Sequence, residues 1–354
     1  MPSFILRNSV AYICPNQMAG TPLASIKHTM SKKILVTGGA GYIGSVLTRQ
    51  LLDKGYKVRI LDSLMYGGEP IIDLLNEPDF EFIKGDIRNE DDVKKAMEGI
   101  DAIAHLAAIV GDPACAQQPE VAKSTNLDGS KLLYNTANAM GVAKFVFAST
   151  CSNYGKMEDP DKFVTEESAL APVSLYAETK VGVEQFLLSQ SKDNVTQPTC
   201  LRFSTVYGLS LRPRFDLTVN EFAKELALGR ELVIFGEQFW RPYCHVYDLA
   251  RSVVSVIEAD AAVVSFEVFN VGDTSENYQK KMIVEEVQKL IPDAKIKYVT
   301  KNEDPRDYRV AFEKIKTKLG FEVMFKVPDG IAQIIKVVEE GFILNPDDNK
   351  YKNV

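Results

Sequence analysis

Short apolar segments alternate with amphipathic segments along much of the chain. Five segments rich in β-branched and aromatic residues are predicted as strands, over residues 34–36, 57–62, 80–84, 101–105 and 144–149. Apolar residues at helical spacing predict helices over 42–52, 90–97, 119–140 and 175–190. Strands joined by helices pair in parallel and carry helices on both faces of their sheet. The pattern therefore predicts a doubly wound parallel sheet, an α/β domain over residues 33–205.

The alternation weakens after about residue 206. Helices are expected over 215–228, 246–258, 282–291 and 330–342, and strands over 231–235 and 266–271. Neither a repeat nor a low-complexity linker separates this part from the first. Residues 206–354 are therefore expected to form a smaller C-terminal α/β lobe, with some segments returning to the first sheet.

Residues 1–32 do not share this pattern. They contain no aspartate or glutamate, show no periodicity, and end shortly after Met30. Three interpretations stay open: a non-native start or expression tail, a targeting peptide, or an ordered cap. A targeting peptide would be expected to contain more arginine than the single Arg7. We expect a disordered or non-native extension that takes no part in the fold.

The composition excludes several classes of function. A net charge of −7 at pH 7 argues against a nucleic-acid partner or a membrane surface. With 45% hydrophobic and 25% charged residues the chain is ordinary for a globular protein, and no apolar run is long enough for a membrane span. Five scattered cysteines without a C-x-x-C pair favour a reducing compartment, which predicts a cytoplasmic protein. The three separated histidines indicate no metal site.

A glycine cluster follows the first predicted strand. Gly38, Gly41 and Gly44 stand three residues apart, where the helix containing Tyr42 and Ile43 begins. Gly38 permits a tight turn, Gly41 lets the backbone approach a pyrophosphate, and Gly44 lets the helix pack closely on the sheet. The unpaired N–H groups and the dipole of the helix N-terminus also favour phosphate there.

Asp62 ends the next predicted strand, at roughly the 20-residue spacing from the glycines that dinucleotide sites show. A carboxylate there can accept hydrogen bonds from the adenosine ribose and repels a 2′-phosphate. A surface aspartate that caps a turn is the alternative. The order of strand, glycine loop, helix, strand and acid predicts a Rossmann-type site that prefers NAD to NADP.

Tyr176 and Lys180 lie one helical turn apart, on the same face of a predicted helix. A nearby ammonium favours the phenolate, which would make the tyrosine a general base. The alternative is an ordinary helix with its tyrosine in the core and its lysine in water. Thr150 and Ser152 follow the fifth strand, where a hydroxyl could share a hydrogen bond with the substrate oxygen or simply cap a turn.

Together these motifs resemble those of the extended short-chain dehydrogenase/reductases, and most closely their NAD-dependent nucleotide-sugar epimerase/dehydratase branch. The resemblance rests on the glycine loop, on Asp86-Ile87 after the third strand, on the turn that ends in Tyr154-Gly155, and on the Tyr-x-x-x-Lys motif. It extends from Lys33 to about Phe342.

The resemblance implies the residues that bind NAD and the catalytic group. The implied NAD-binding residues are Gly38, Gly41, Tyr42, Ile43, Gly44, Asp62, Asp86, Ile87, Leu106, Ala107, Ala108, Asn126 and Lys180. Among them, Asp86 and Ile87 would flank the adenine and Lys180 would hold the nicotinamide ribose. Tyr176 would be the catalytic base, with Thr150 in the place of the family's serine or threonine.

The C-terminal part resembles segments with which this family binds a nucleotide-sugar substrate. Arg241 matches the arginine of an R-x-x-x-H-V-x-D segment that contacts the substrate diphosphate, a task suited to a planar guanidinium. Asn220 matches a position near the diphosphate, and Arg306 is a candidate second clamp. Surface ion pairs for the arginines and a capping amide for Asn220 are the alternatives. With Thr150 and Ser152, these residues are the predicted substrate site.

Departures from the family pattern bear on the reaction. Cys151 and Ser152 stand where the 4,6-dehydratases carry an acid–base pair, so dehydration is disfavoured. Asn153 replaces an apolar residue, for which the sequence gives no reason. Residues 110–115 and 211–217 resemble a subgroup that includes nucleotide-sugar 4-dehydrogenases.

The function that the resemblance implies is an NDP-sugar 4-epimerase of the UDP-glucose 4-epimerase type, acting through a 4-keto intermediate. The alternatives are a 4-dehydrogenase or reductase that releases its product, and a non-catalytic dinucleotide-binding scaffold. The resemblance also implies a homodimer, formed through the helices over 119–140 and 175–190.

Overall fold

A computed structural model describes residues 31–157, 159, 162–300 and 306–353. The predicted N-terminal extension lies outside these residues, except for its last two positions. From Lys32 onward the chain forms one compact unit. Among the described helices, none combines the length and the apolar character needed to cross a bilayer.

A seven-stranded sheet forms the centre of this unit, and all its neighbouring strands are parallel. Its strands are β1 (Lys33–Thr37), β2 (Lys57–Asp62), β3 (Phe80–Lys84), β4 (Ala102–His105), β5 (Lys144–Thr150), β6 (Gln197–Phe203) and β10 (Glu267–Val271). Their order across the sheet is β3-β2-β1-β4-β5-β6-β10. This is the doubly wound Rossmann order with one further strand, so the predicted fold class is confirmed.

Two further small sheets lie in the C-terminal part. They are built from β7 (Thr205–Tyr207), β8 (Leu232–Phe235), β9 (Trp240–His245), β11 (Asn277–Gln279) and β12 (Ile296–Val299). Strand β9 lies between β7 and β11, and β8 pairs with β12. The sequence analysis predicted only β8 of these five.

The described helices are α1 (Tyr42–Asp53), α2 (Glu90–Met97), α3 (Asp112–Gln117), α4 (Pro119–Lys123), α5 (Ser130–Ala139), α6 (Leu175–Leu188), α7 (Thr218–Ala227), α8 (Val246–Glu258), α9 (Ala261–Val264), α10 (Lys280–Leu290), α11 (Glu313–Leu319) and α12 (Val327–Glu339). Helices α1 and α8 pack together on one face of the central sheet, and α2, α5 and α6 cover the other. Alternate residues of β1 supply both cores, with Ile34 and Val36 on one side and Leu35 on the other. Both faces of the sheet are therefore buried.

The C-terminal lobe has its own apolar core. Helices α7, α10 and α12 pack against β8 and β9 through residues that include Phe222, Ile283, Ile331 and Tyr243. The segment after residue 206 also contributes β10 to the central sheet and α8 to its face. The central sheet therefore contains chain from both sides of residue 206.

Two sequence predictions were wrong in detail. The single helix expected over 119–140 is three segments, because a π-helical stretch, Ser124–Gly129, separates α4 from α5. Strand β6 was missed, since its Pro198 and Arg202 are unusual in a central strand. Pro198 lies at the start of β6, opposite Phe145, and Arg202 is paired with a buried carboxylate.

Candidate active site

The carboxyl ends of the central strands open into one cavity. Strands β2 and β4 lie on opposite sides of β1, so the loops after β1 and β4 diverge, which is where doubly wound sheets bind ligands. The predicted residues that line this cavity are Gly38, Gly41, Tyr42, Ile43, Gly44, Asp62, Asp86, Ile87, Leu106, Ala107, Ala108, Thr150, Tyr176 and Lys180. Residues from six separate segments of the sequence therefore meet at this edge of the sheet.

The glycine loop fits closely between neighbouring backbones. Gly38 has a φ of 74°, and a Cβ at this position would lie 2.8 Å from the backbone nitrogen of Ala107. A Cβ on Gly44 would collide with the carbonyl oxygen of Gly38. A Cβ on Gly41 would come within 3.1 Å of that same oxygen and, among the described residues beyond its chain neighbours, would have no other atom within 4 Å. Gly38 and Gly44 are thus fixed by packing, while Gly41 lies where the helix N-terminus meets the cavity.

Asp62 is held in place by backbone donors. One carboxylate oxygen accepts from the N–H of Ala40 at 3.0 Å and the other from the N–H of Leu64 at 2.8 Å. Burial raises the pKa of Asp62, and these two hydrogen bonds and the charge of Arg212 oppose the rise. The side chain is oriented into the cavity end where the sequence predicts an adenosine ribose.

Helix α6 brings Tyr176 and Lys180 to the opposite end of the cavity. The helix begins after Ser174, whose hydroxyl accepts from the N–H of Ala177 at 3.3 Å. Lys180 is 3% exposed, and its Nζ donates to the carbonyl oxygen of Ala148 at 2.7 Å. That nitrogen lies 5.9 Å from the centre of the Tyr176 ring. Burial lowers the pKa of Lys180 to about 8, so the side chain is largely charged at neutral pH.

The pKa of Tyr176 does not follow the sequence argument. Desolvation raises the pKa of its phenol, and the neighbouring Cys115 and Asp112 add to the rise. Arg214 and a hydrogen bond with Thr150 act in the opposite direction, but burial dominates. In this structure the phenol is therefore neutral at physiological pH, and the charge of Lys180 alone does not make it a base.

Five predicted residues do not line the cavity: Asn126, Ser152, Asn220, Arg241 and Arg306. Asn126, expected to line the cofactor, is buried in the π-helical stretch. Its amide accepts from the N–H of Ile109 at 2.8 Å and donates to that residue's carbonyl at 3.0 Å. It therefore fixes the loop after β4 and supports the cavity wall from behind.

The predicted diphosphate ligands are engaged with the protein itself. Arg306 forms a 2.7 Å ion pair with Asp112, whose other oxygen accepts from Ser174. Arg241 donates to the carbonyl of Trp240 at 2.6 Å, and its guanidinium carbon lies 5.3 Å from the ring centre of Tyr308. Diphosphate binding by either arginine thus stays a prediction.

The other two predicted substrate residues are also occupied. The hydroxyl of Tyr308 donates to Ser152 at 3.4 Å. Asn220 is 1% exposed, and its amide binds the backbone of Gly208 and Arg214 and the hydroxyl of Tyr42. In this structure Asn220 is a positioning residue that joins the start of α1 to the C-terminal lobe.

The cavity has further walls that the motif analysis did not assign. They include Tyr66, Arg212, Arg214 and Asn353. In the sequence, residues 211–217 were notable only for their resemblance to a subgroup of the family, and no motif included Asn353. Contacts between parts so distant in sequence could not be inferred from spacing.

Asn153 now has a structural reason. It is fully buried, and its Nδ2 donates to Ser149 at 3.1 Å and to Glu184 at 2.9 Å. Glu184 also forms an ion pair of 2.8 Å with Arg202 of β6. An apolar residue at 153 would remove one donor from this buried carboxylate, so the asparagine belongs to a polar network beneath the cavity.

Comparison with known proteins identifies this architecture. The model of the NAD dependent epimerase/dehydratase family matches residues 34–272. The chain belongs to that family. Family membership confirms the resemblance to extended short-chain dehydrogenase/reductases and makes the protein an NAD-dependent enzyme of that type.

Its relatives in the epimerase/dehydratase family include both kinds of enzyme. UDP-glucose 4-epimerase of Lactobacillus helveticus is 30% identical over 73% of this chain and 81% of its own length. The dTDP-glucose 4,6-dehydratase of Streptomyces niveus is 28% identical over 86% of this chain and 92% of its own.

Solved structures of the family superpose over nearly their whole length. UDP-glucuronic acid 4-epimerase from Bacillus cereus, in complex with UDP-glucuronic acid and NAD, has a TM-score of 0.78 at 27% identity and covers 87% of this chain and 99% of its own. UDP-glucose 4-epimerase from Thermotoga maritima, with UDP-glucose, has a TM-score of 0.77 at 27% identity and covers 88% and 99%.

The cavity fits the family's NAD. The glycine loop leaves backbone N–H groups at the N-terminus of α1, and Asp62 offers a fixed acceptor beyond it. Lys180 and Tyr176 stand at the other end of the same cavity. The lining of the cavity therefore offers groups that suit a phosphate, a ribose and a reacting hydroxyl.

Proposed function

We propose that this protein is an NDP-sugar 4-epimerase that acts through a 4-keto intermediate. The relatives named above support a nucleotide-sugar substrate, and several are named as 4-epimerases. The observation that carries the proposal is the convergence of Tyr176, Thr150 and Lys180 on the cavity that contains the glycine loop. A scaffold that only bound NAD would not need these three side chains together in the cavity.

The proposed chemistry begins at the phenol. Tyr176 removes the proton of the sugar C4 hydroxyl, and Thr150 shares a hydrogen bond with the same oxygen. NAD, which the glycine loop, Asp62 and Lys180 would hold, would supply a reversible hydride acceptor for C4. Lys180 supplies a buried positive charge beside the phenol, so the phenolate gains stabilisation once water is excluded. Because burial raises the pKa of Tyr176 in the structure without ligands, the proposed mechanism has the phenol lose its proton after NAD and the sugar have bound.

Sugar dehydration is a poorer fit, although dehydratases are among the relatives. Cys151 stands at one of the two positions where an acid–base pair is expected. Its thiol is buried and donates to the carbonyl of Arg202, and burial raises its pKa. It is therefore unsuited to proton transfer at neutral pH.

A substrate panel tests the proposed reaction. Purified protein is incubated with NAD and with UDP-, dTDP-, GDP- and CDP-hexoses, and products are followed by NMR and by absorbance of reduced nicotinamide. An epimerase gives the 4-epimer with only transient reduced nicotinamide, whereas a 4-dehydrogenase gives stoichiometric reduced nicotinamide. Neither signal with any sugar would contradict both enzymatic assignments and favour the scaffold.

Tyr176→Phe tests the catalytic role directly. We expect NAD affinity to stay within about twofold, and kcat to fall by about 10²- to 10⁴-fold, since general acid–base catalysis contributes that much. Isothermal titration with NAD and the NMR assay measure the two quantities. Tyr298→Phe, on an exposed tyrosine, is the matched control and should leave both unchanged. Turnover near that of the wild type in Tyr176→Phe would remove the phenol from the mechanism.

We also propose that the protein is a cytoplasmic homodimer. The described cysteines Cys115, Cys151, Cys200 and Cys244 are all free and buried, as suits a reducing compartment. The dimer would form through the face of α4, α5 and α6, as the family resemblance suggests. Light scattering at micromolar concentration should give twice the mass of the chain, and a monomer would contradict this assembly.

A further inference from the structure

The adenosine end of the cavity is closed by residues far from the NAD-binding motifs. The arginine loop (residues 208–217) between β7 and α7 brings Arg212 to Tyr66, with the guanidinium carbon 3.9 Å from the ring centre. Arg212 is 5% exposed and its charge acts on Asp62. A cation that is stacked on an aromatic ring next to the ribose-binding acid has a fixed position in the cavity wall.

A second segment holds the arginine loop in place. This strap (residues 347–353) follows α12, and its Tyr351 carbonyl accepts from the N–H of Phe215 at 2.9 Å. The carbonyl of Lys352 accepts from Nη2 of Arg212 at 3.2 Å. The N–H of Asn353 donates to Asp216 at 3.2 Å. The strap thus binds the arginine loop at three successive points.

The strap is also anchored at its start. Asp347 accepts from Lys224 at 2.9 Å and from Arg230 at 2.6 Å, and both partners lie on or just after α7. The arginine loop is attached to α1 through Ser210, whose hydroxyl donates to the carbonyl of Tyr42 at 2.6 Å. The strap, the loop and the helix that begins the NAD site therefore form one connected wall.

Two polar atoms of this wall lack partners. Within the described part of the chain, Nε of Arg212 and Oδ1 of Asn353 are buried and make no hydrogen bond. Both residues line the cavity together with Asp62 and Tyr66. A buried donor and a buried acceptor without partners are both unfavourable, so a ligand that pairs them stabilises the wall.

We propose that Arg212 and Asn353 bind the adenosine half of NAD, so that the C-terminal lobe and the strap clamp the cofactor from the side opposite the glycine loop. The donor of Arg212 and the acceptor of Asn353 suit a ribose or purine, whose polar groups include both kinds. The proposed contact of Arg212 and Asn353 with the adenosine half rests on the NAD dependence of the family. Its consequence rests on the proposed function: a clamped cofactor stays bound between the two hydride transfers of an epimerase.

Isothermal titration of the cofactor-free protein with NAD, AMP, NMN and UDP tests the clamp. The variants are Arg212→Lys, which keeps the charge but removes the Nε donor, and Asn353→Ala. Each should weaken NAD and AMP by about three- to tenfold, as one lost hydrogen bond implies, and leave NMN unchanged. Lys57→Ala, at an exposed position of β2 that does not line the cavity, is the control and should leave the affinity for all four ligands unchanged.

The outcomes separate the possible occupants. Unchanged AMP and NAD affinity in both variants would overturn the clamp. Loss of UDP affinity without loss of AMP affinity would also overturn it, since the two residues would then face the nucleotide of the substrate. None of these titrations includes a sugar, so an inactive wild type would refute the proposed function and leave the clamp standing.

A second measurement needs no substitution. Trypsin can cleave the strap after Lys350 and Lys352, and a ligand that holds the strap closed reduces the open population. We expect saturating AMP to slow this cleavage several-fold in the wild type and NMN to leave it unchanged. Equal cleavage rates with and without AMP would overturn the clamp even if the variants failed to fold.

Discussion

Lys180 shows, at the scale of one residue, that a charge buried in the wall of the candidate site has a cost in stability. Its ammonium is buried and donates to the carbonyl of Ala148, and burial lowers its pKa to about 8. In the unfolded chain the same group has a pKa near 10.5. At every pH at which Lys180 is protonated in both the folded and the unfolded state, its buried charge therefore lowers the free energy of unfolding.

Lys180→Met should stabilise the cofactor-free protein. Below pH 8 the buried charge is present in full, and we expect the variant to gain about 1–3 kcal/mol in free energy of unfolding, after allowing for the unsatisfied carbonyl of Ala148. Between pH 8 and 10.5 the unfolded state binds more protons than the folded state, so the wild type gains stability and the difference shrinks.

Urea unfolding at pH 7 and pH 9.5 measures this difference. Lys57→Met, at an exposed position of β2, is the matched control and should change stability by less than about 0.5 kcal/mol at either pH. A Lys180→Met variant that is less stable than the wild type at pH 7 would show that the ammonium is a net structural contact.

Residue types alone predicted much of the candidate site. Glycine spacing and Asp62 pointed to the cavity that the structure shows, because a Cβ at Gly38 would collide with the Ala107 backbone and the Asp62 carboxylate accepts from the N–H of Ala40 in the glycine loop. The same logic leaves the partners of Arg241 and Arg306 open, because a guanidinium suits a phosphate and a carboxylate equally well. Which partner it takes depends on long-range packing, here Asp112 for Arg306.

At the scale of elements, strand β6 and helix α6 are tied by a buried ion pair. Arg202 is 4% exposed and Glu184 is 1% exposed, and two Arg202 nitrogens donate to that carboxylate. The charged Arg202 and the Pro198 at the start obscured β6 in the sequence, whereas continuous apolar runs made β1 and β5 plain. The sequence also gave no sign of the π-helical break after α4. Asn126 in this stretch binds the backbone of Ile109 in another loop, and such a distant contact leaves no pattern in the local sequence.

Arg202→Met should destabilise the protein strongly. It leaves the buried Glu184 carboxylate without its cation, which costs about 3–5 kcal/mol. Lys94→Ala, which removes an exposed ion pair with Glu90, is the control and should leave the free energy of unfolding nearly unchanged. Urea unfolding measures both variants. A cost below about 1 kcal/mol for Arg202→Met would mean that Glu184 takes up a proton or water and needs no counter-charge.

At the scale of the molecule, the chain does not divide at residue 206. Strand β10 completes the central sheet beside β6, and helix α8 packs against α1 on one face of this sheet. Both β10 and α8 come later in the sequence than the first elements of the C-terminal lobe. The periodicity of the sequence predicted the two parts and a return to the sheet. It could not predict which segments return, because pairing of β10 with β6 is a contact between distant residues.

This interleaving predicts that the part of the chain from Lys32 onward unfolds in one step. The single tryptophan, Trp240, lies on β9 of the C-terminal lobe and reports on that lobe, whereas far-UV circular dichroism reports on all helices and strands. We expect the urea transitions of the two signals to coincide, because the lobe cannot unfold without removing β10 and α8 from the central sheet. A fragment that ends at residue 206 should remain unfolded or aggregate, since it lacks the helix that covers Leu47 and Leu51 of α1. Separate transitions, or a folded fragment, would show that the central sheet is stable without its last strand.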